Sequence, residues 1–400
     1  MRCPSPLQFS WQRQSQPDNQ SAHSLLIALL RGLAALQVAA AHLRAEIYPG
    51  LRELGSPPLA YQLLAFATGF AHQAVVVFFL ISGWLVGGSL LNKYGTNAPA
   101  PLRGYAIDRL TRLWTVLVPA LLTMLAIGIV TGAVDPSRPD AGAANAWSAA
   151  AFAGNLVGLQ TVAVENFGGN YVLWSLANET WYYVAFPLLL LACFPGSRLR
   201  QAGATGALLL IGGALPWSIT LYFALWLLGA AFSRIRVDCG HGTRIALAVV
   251  TMLLSVYFRI KGSNDDLNAA SFVQDTLISL PLLVLLASLQ LPVTLDSPAR
   301  RGTARLAQGL SEFSFTLYVI HVPCIGLLRH LGQQAFGRNR LDPHAPLDYL
   351  AYVALLAALL LLAYVSYRLF EAHTFRVRRW LKGALQRRTR QHALAAARIK

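Results

Sequence analysis

Charged side chains are scarce in this sequence, and their scarcity excludes a soluble fold. Asp, Glu, Lys and Arg make up 12% of the 400 residues, whereas hydrophobic residues make up 55%. Soluble domains carry about twice that share of charge. Long apolar runs recur from residue 24 to residue 370, and such runs are long enough to cross a bilayer as helices. They are too long and too continuous for the strands of a membrane barrel. We therefore predict an all-α, polytopic integral membrane protein.

Acidic residues and cysteines are also few. The chain has 17 Asp and Glu against 33 Lys and Arg, a net charge of +16. In a membrane protein this excess is explained by basic loops that stay in the cytoplasm, so no nucleic-acid partner is predicted. The four cysteines fall in apolar runs or in basic segments, and we expect no structural disulfide. No metal site is predicted.

Ten apolar stretches are candidate transmembrane helices, and the fifth and sixth of them are short. They cover residues 24–43, 72–92, 111–132, 172–194, 203–216, 219–233, 244–259, 271–291, 308–331 and 347–370. Ten spans place both termini on one side, and a cytoplasmic location gives the inner segments roughly three times as many Lys and Arg as the outer ones. The chain then divides into an N-terminal tail (1–23), a membrane domain (24–370) and a basic C-terminal tail (371–400). For that last segment we expect lipid-surface contact and no catalytic role.

The first span carries an arginine and a histidine in the stretch "RGLAALQVAAAH". Arg31 and His42 are eleven residues apart, which is close to three helical turns, so both lie on one face about 16 Å apart. An ionisable side chain inside a bilayer costs about 3 kcal/mol or more unless it is paired or hydrated, so it is a functional candidate. The alternative is an interfacial histidine and an arginine whose side chain extends to the interface.

Further charged residues lie in or beside the third and fourth spans. Glu179 is surrounded by aromatic residues in "LWSLANETWYY", and a carboxylate there needs a partner, for which His42 is a candidate at similar predicted depth. Arg109 and Arg112 are three residues apart in "DRLTRLW" and share a helix face. They are either anchors at the inner boundary or a fork that binds phosphate.

Two more stretches carry polar groups inside apolar runs. Ser82 and Gly83 lie in "FFLISGW", and small residues of this kind favour close packing between helices. Ser314, Tyr318 and His321 in "SFTLYVIHVP" are spaced by four and three residues, so they form a polar stripe on one helix face. A structural histidine bonded to a neighbouring helix is the alternative for His321.

Together these segments resemble the membrane acyltransferase-3 family, which comprises polytopic bacterial O-acyltransferases that act on polysaccharides and related acceptors. The resemblance covers about residues 24–370 and is carried by five motifs in the family's order. They comprise Arg31 and His42; Phe78, Phe79, Ser82 and Gly83; Arg109 and Arg112; Trp174, Ser175, Leu176 and Glu179; and Ser314, Tyr318 and His321, with Thr316 in the place of a second serine.

The resemblance implies a reaction and a role for each motif. Acyl-CoA, with acetyl-CoA expected, would donate from the cytosol to a hydroxyl of a cell-surface or exported glycan that could be lipid-linked, across the bacterial cytoplasmic (inner) membrane. Arg31, Arg109 and Arg112 would bind the donor's phosphates. His42 would act as general base or carry the acyl group itself, and Glu179 would orient its ring. The residues expected only to line the pathway are Ser82, Trp174, Ser175, Ser314, Tyr318 and His321.

Three other functions remain open at the level of sequence. A transporter or flippase of a polysaccharide or lipid-linked sugar is also polytopic and basic inside, but such proteins often contain paired repeats, and this sequence shows no internal repeat. An acyltransferase that acts on a small secreted molecule is the second alternative. The third is a non-catalytic scaffold, which would not need the arginine, histidine and glutamate set.

Overall fold

Helices form almost the whole molecule. The computed structural model describes residues 7–13, 22–96, 101–134, 142–262, 267–290 and 298–398. The helices are α1 (Ala22–Ile47), α2 (Leu59–Ala67), α3 (Ala71–Ser82), α4 (Gly88–Gly95), α5 (Pro101–Val130), α6 (Ala149–Leu156), α7 (Leu173–Cys193), α8 (Arg198–Ala214), α9 (Trp217–Phe232), α10 (His241–Lys261), α11 (Ala269–Ser288), α12 (Pro298–Glu312), α13 (Ser314–Phe336), α14 (Pro346–Leu369) and α15 (Thr374–Arg398). The predicted all-α class is confirmed.

Two short strands pair near the N-terminus. β1 (Gln8–Trp11) runs antiparallel to β2 (Ile235–Asp238), with Phe9 opposite Val237. Part of the segment assigned to the N-terminal tail is therefore joined to the connection between α9 and α10. Cys193, Cys239 and Cys324 are free thiols, and Cys3 lies outside the described residues.

Several helical stretches are long and apolar enough to span a membrane, which confirms the multi-pass prediction. Within the described part of the chain there are seven of them: Ala22–Glu53, Leu59–Tyr94, Pro101–Val130, His241–Lys261, Ala269–Ser288, Ser314–Phe336 and Pro346–Arg387. The other three predicted spans coincide with α7, α8 and α9, of which α9 is apolar but only 16 residues long. The number ten therefore stays a prediction.

The second predicted span is divided by a wide helical turn. α3 ends at Ser82, and residues Gly83–Gly87 form a π-helical turn before α4 begins. A side chain on Gly83 would overlap the backbone carbonyl of Trp226 on α9. Glycine is therefore required at this crossing, because the backbones of the two helices approach each other directly. Since the turn is fixed in this way, Ser82 is held at the end of α3.

α1 lies at the centre of the molecule and the C-terminal segment lies against α5. α1 packs against α3, α12 and α13 through small side chains such as Ala35 and Ala39, which are fully buried. After α14, the short turn Glu371–His373 leads into α15, which packs on α5. The hydroxyl groups of Thr115 and Thr374 lie 2.8 Å apart at this contact. α15 thus belongs to the packed part of the protein.

Candidate active site

A cavity of about 710 Å³ opens among α1, α3, α5, α7, α13 and α15. We call it the arginine-lined cavity, because four arginines contribute to its wall: Arg31, Arg109, Arg112 and Arg378. The predicted site residues that line it are Arg31, Ser82, Arg109, Arg112, Ser175, Glu179, Ser314 and Tyr318. Trp174, His42 and His321 lie outside its wall. Its volume is in the range of small-molecule sites.

The guanidinium groups in this cavity repel one another. Arg31 lies close enough to Arg112 for like-charge repulsion, which Glu371 and Glu179 offset in part. Arg378 is repelled by both Arg109 and Arg112. Clustered arginines of this kind favour an anionic ligand, because a phosphate can pair with a guanidinium through two hydrogen bonds.

The two arginines of the predicted fork have different surroundings. Nη1 of Arg112 lies 2.6 Å from Oε1 of Glu371, whose side chain is only 1% exposed. The other oxygen of Glu371 accepts from the backbone N–H and the hydroxyl of Thr316, at 3.2 Å and 2.6 Å. The guanidinium of Arg109 instead lies 5.8 Å from the centre of the Tyr183 ring. Arg112 is thus already paired with a carboxylate, whereas Arg109 contacts an aromatic face.

Sequence reasoning missed Glu371 and Arg378, because both fall in the segment assigned to the C-terminal tail. The predicted boundary at residue 371 separates residues that the structure brings into one cavity. An acidic residue directly after the last apolar run, in an otherwise basic segment, was the available signal for Glu371. Arg378 could not be distinguished from its basic neighbours by sequence.

Glu179 is held in the cavity wall by two hydroxyl groups. Ser82 donates to Oε1 over 2.6 Å and Tyr183 donates to the same oxygen over 2.5 Å. The indole N–H of Trp226 donates to the Ser82 hydroxyl over 3.1 Å, so the π-helical turn that fixes Ser82 also fixes the carboxylate. Tyr183 follows Glu179 by one helical turn, a spacing that could have identified it. The predicted orientation of His42 by Glu179 stays a prediction.

His42 is in direct contact with another histidine. Its Nδ1 lies 2.8 Å from Nε2 of His321, and the two rings meet edge to edge, with their planes inclined by 20° and their centres 5.1 Å apart. Nδ1 of His321 lies 3.1 Å from the backbone carbonyl of Leu317, which can only accept, so this nitrogen carries the proton. In the neutral pair, Nε2 of His321 then accepts from Nδ1–H of His42. Nε2 of His42 is left as the basic nitrogen of its ring.

Tyr318 connects the histidine pair to the cavity. Its ring lines the arginine-lined cavity and meets the His321 ring edge-on, with centres 5.9 Å apart. Its hydroxyl lies 2.7 Å from that of Ser175, which also lines the cavity. Tyr318 thus touches both the cavity and the histidine pair. The ring of Tyr171, a residue that is 40% exposed, meets the His42 ring nearly at right angles, with centres 5.1 Å apart.

A second buried polar cluster lies outside this site. Nε2 of His72 on α3 and the hydroxyl of Tyr222 on α9 both contact Oδ2 of Asp275 on α11, at 2.8 Å and 2.7 Å. Asp275 is 3% exposed. It was missed although it is the one acidic residue of its predicted span, which by itself indicates a partner. The cluster joins three helices and does not line the arginine-lined cavity.

Comparison with known families decides the class. Residues 26–368 match the model of a family described as an acyltransferase domain, Acyl_transf_3. The chain belongs to the acyltransferase-3 family. The predicted resemblance is thereby confirmed, and membership implies that this acyltransferase transfers acyl groups. No match to a curated protein or to a solved structure was found.

The family match does not extend over the whole cavity wall. It ends three residues before Glu371 and ten before Arg378, yet both side chains line the arginine-lined cavity. Part of the candidate active site of this acyltransferase thus lies beyond the residues that match the family model.

Proposed function

We propose that this acyltransferase takes an acyl group, in the first place acetyl, from cytosolic acyl-CoA and transfers it to a hydroxyl of an exported or cell-surface glycan. The observation that carries the proposal is the position of Tyr318. Its ring lines the cavity to which four arginines contribute, and it also contacts the hydrogen-bonded histidine pair. Acyl-CoA has a matching shape, with phosphates at one end and a thioester at the end of a long arm.

The donor's phosphates bind in the arginine-lined cavity. Among the carboxylates that the structure describes, none neutralises Arg109 or Arg31 as closely as Glu371 neutralises Arg112. Arg31 and His42 are about 16 Å apart along α1, a distance that the pantetheine arm can cover. Movement of the Tyr318 ring then lets the thioester reach His42, because this ring lines the cavity and contacts His321, the partner of His42.

Nε2 of His42 is the general base for the acceptor. It takes the proton of the acceptor hydroxyl while the oxygen attacks the thioester carbonyl. The C–S bond breaks, and the leaving thiolate takes the proton back from the imidazolium to give free CoA. His321 stabilises the imidazolium, since its Nε2 accepts from Nδ1–H of His42. In the alternative route Nε2 of His42 attacks the thioester carbonyl, and the C–S bond breaks to release the CoA thiolate. The acceptor oxygen then attacks the acyl-imidazolium, the C–N bond breaks, and the acceptor's proton passes to the thiolate to give free CoA.

Glu179 is a candidate catalytic residue in the wall of the cavity. Its carboxylate attracts Arg31 and is held by Ser82 and Tyr183. It therefore positions the guanidinium that faces the donor.

Acyl-CoA turnover by purified protein tests the proposal. Wild-type protein should consume acetyl-CoA, and His42→Ala should abolish acyl transfer while the protein still inserts and accumulates. His330→Ala, at a half-exposed histidine of α13 that lies outside the cavity wall, is the matched control and should behave as wild type. Mass spectrometry of surface glycans from cells with and without the protein identifies the acceptor. A transporter would leave acetyl-CoA untouched, and an acylated small secreted molecule would move the acceptor to the alternative class.

A further inference from the structure

Four charged side chains from three helices meet beside the arginine-lined cavity. The carboxylate of Asp108 on α5 lies 3.1 Å from Nζ of Lys93, 2.6 Å from Nζ of Lys382 and 3.5 Å from Nε of Arg378. We call this group the mouth cluster: Lys93, Asp108, Arg378 and Lys382. Arg378 also lines the cavity, so the cluster and the cavity are continuous.

The mouth cluster carries more positive than negative charge. One carboxylate faces three cations, and Arg378 is further repelled by Arg109 and Arg112. Asp108 can balance only one of these charges. A surplus of this kind is stabilised by an anion with several charges, such as a molecule that carries more than one phosphate.

α15 is held in place firmly enough to form part of a binding site. Glu371, 3% exposed, is bonded to Thr316 and paired with Arg112 at the start of the segment. Thr374 is bonded to Thr115 of α5. The guanidinium of Arg378 lies 5.1 Å from the Phe375 ring centre, and Phe375 lines the cavity as well. The direction of Arg378 is therefore set by the carboxylate of Asp108, 3.5 Å from its Nε, and by its contact with the exposed Phe375 ring.

We propose that α15 is a donor-binding element, in which Arg378, with Lys93 and Lys382, binds the phosphates of the nucleotide end of acyl-CoA at the mouth of the cavity. The inference rests on the proposed function, because it takes acyl-CoA as the donor. It assigns the C-terminal segment a role in binding, where sequence predicted contact with the lipid surface only. A lipid phosphate offers the same chemistry, and the experiment separates the two.

The experiment measures binding of two probes to protein in a phosphate-free detergent. Isothermal titration with CoA, and competition by adenosine 3′,5′-bisphosphate, are compared between wild type and Arg378→Ala. We expect the substitution to weaken both by about tenfold, as the loss of a charge-assisted hydrogen bond does. Lys382→Ala, at a more exposed position, should weaken them by a smaller factor in the same direction.

Two neighbours on the same helix provide matched controls. Arg376 and Arg379 are exposed, so Arg376→Ala and Arg379→Ala remove the same charge without touching the cavity and should leave both affinities within about twofold of wild type. Arg378→Lys should recover part of the loss, which shows that the alanine variant is not simply misfolded. Melting temperatures of all variants are recorded alongside.

Each result has one meaning. If Arg378→Ala binds CoA as tightly as Arg379→Ala does, the inference is overturned and the proposed function still stands. The same holds if Arg378→Ala binds CoA normally but loses affinity for a third probe, soluble short-chain phosphatidylglycerol added to the detergent, since the cluster then holds a lipid phosphate. Wild-type protein that binds neither CoA nor the bisphosphate overturns the choice of donor, and the proposed function with it.

Discussion

Nδ1 of His42 and Nε2 of His321 are 2.8 Å apart, and the planes of their rings are inclined by only 20°. His321 is fully buried and is held by the Leu317 carbonyl, so it fixes both the position and the tautomer of His42. Such an orienting role is usually performed by a carboxylate in a catalytic triad. In this molecule a neutral imidazole occupies that position.

His321→Ala should therefore lower kcat by about a hundredfold and leave the affinity for CoA close to wild type. His321→Gln keeps an acceptor near Nδ1 of His42 and should retain more activity than the alanine variant. Steady-state kinetics and CoA titration check this, with His330→Ala as control. An equal loss in both variants, or a changed CoA affinity, would count against an orienting role.

Arg109 and Arg112 should respond differently to substitution, because only Arg112 is paired with a buried carboxylate. Arg109→Ala should weaken CoA binding by about tenfold with little change in melting temperature. Arg112→Ala should lower the melting temperature, since it leaves Glu371 buried without its cation. Thermal unfolding and CoA titration are measured for both.

The double variant Arg112→Leu with Glu371→Leu tests the cause of that loss. Replacing both partners of a buried ion pair by apolar residues is often close to neutral, so the double variant should melt at a higher temperature than Arg112→Ala. If it does not, the pair is not what stabilises this region.

The hydroxyl contact between Ser175 and Tyr318 should control transfer without controlling donor binding. Tyr318→Phe and Ser175→Ala each remove the 2.7 Å contact and should each lower kcat by a similar factor, about tenfold. In a double-mutant cycle the two effects should be non-additive, because both variants break the same bond. Additive effects would show that the two hydroxyls act separately.

Asp275 should contribute to stability alone. Asp275→Ala leaves His72 and Tyr222 without their shared acceptor, and breaking a buried pair of this kind costs about 3 kcal/mol. We expect a lower melting temperature and an unchanged turnover per folded molecule. Asp238→Asn, at an exposed position on β2, should change neither quantity. Reduced turnover in folded Asp275→Ala protein would connect the cluster to catalysis.

Hydropathy predicted the helices and the helical period predicted which of their residues share a face. Arg31, Glu179 and Tyr318 do line one cavity, because each lies on an apolar helix where a polar side chain must face protein. Sequence could not select His321 over Glu179 as the residue that contacts His42. Predicted depth fixes the position of a side chain along the bilayer normal but leaves its direction around the helix axis open.

Helix ends and the C-terminal segment were harder to predict. The predicted span 308–331 crosses a break at Phe313 between α12 and α13, where no glycine or proline marks the boundary. Arg378 and Lys382 have the same sequence character as the exposed Arg376 and Arg379. The packing of α15 against α5 is what brings Arg378 and Lys382 to Asp108, and the sequence does not show this packing.

The placement of Glu371 has a consequence for how members of this family are compared. Two homologues could agree throughout residues 26–368 and still differ in the carboxylate that Arg112 meets. Under the proposed donor-binding role of α15, chimaeras that exchange only the segment after residue 368 should differ in their affinity for the donor, and alignments trimmed at that residue would hide the reason.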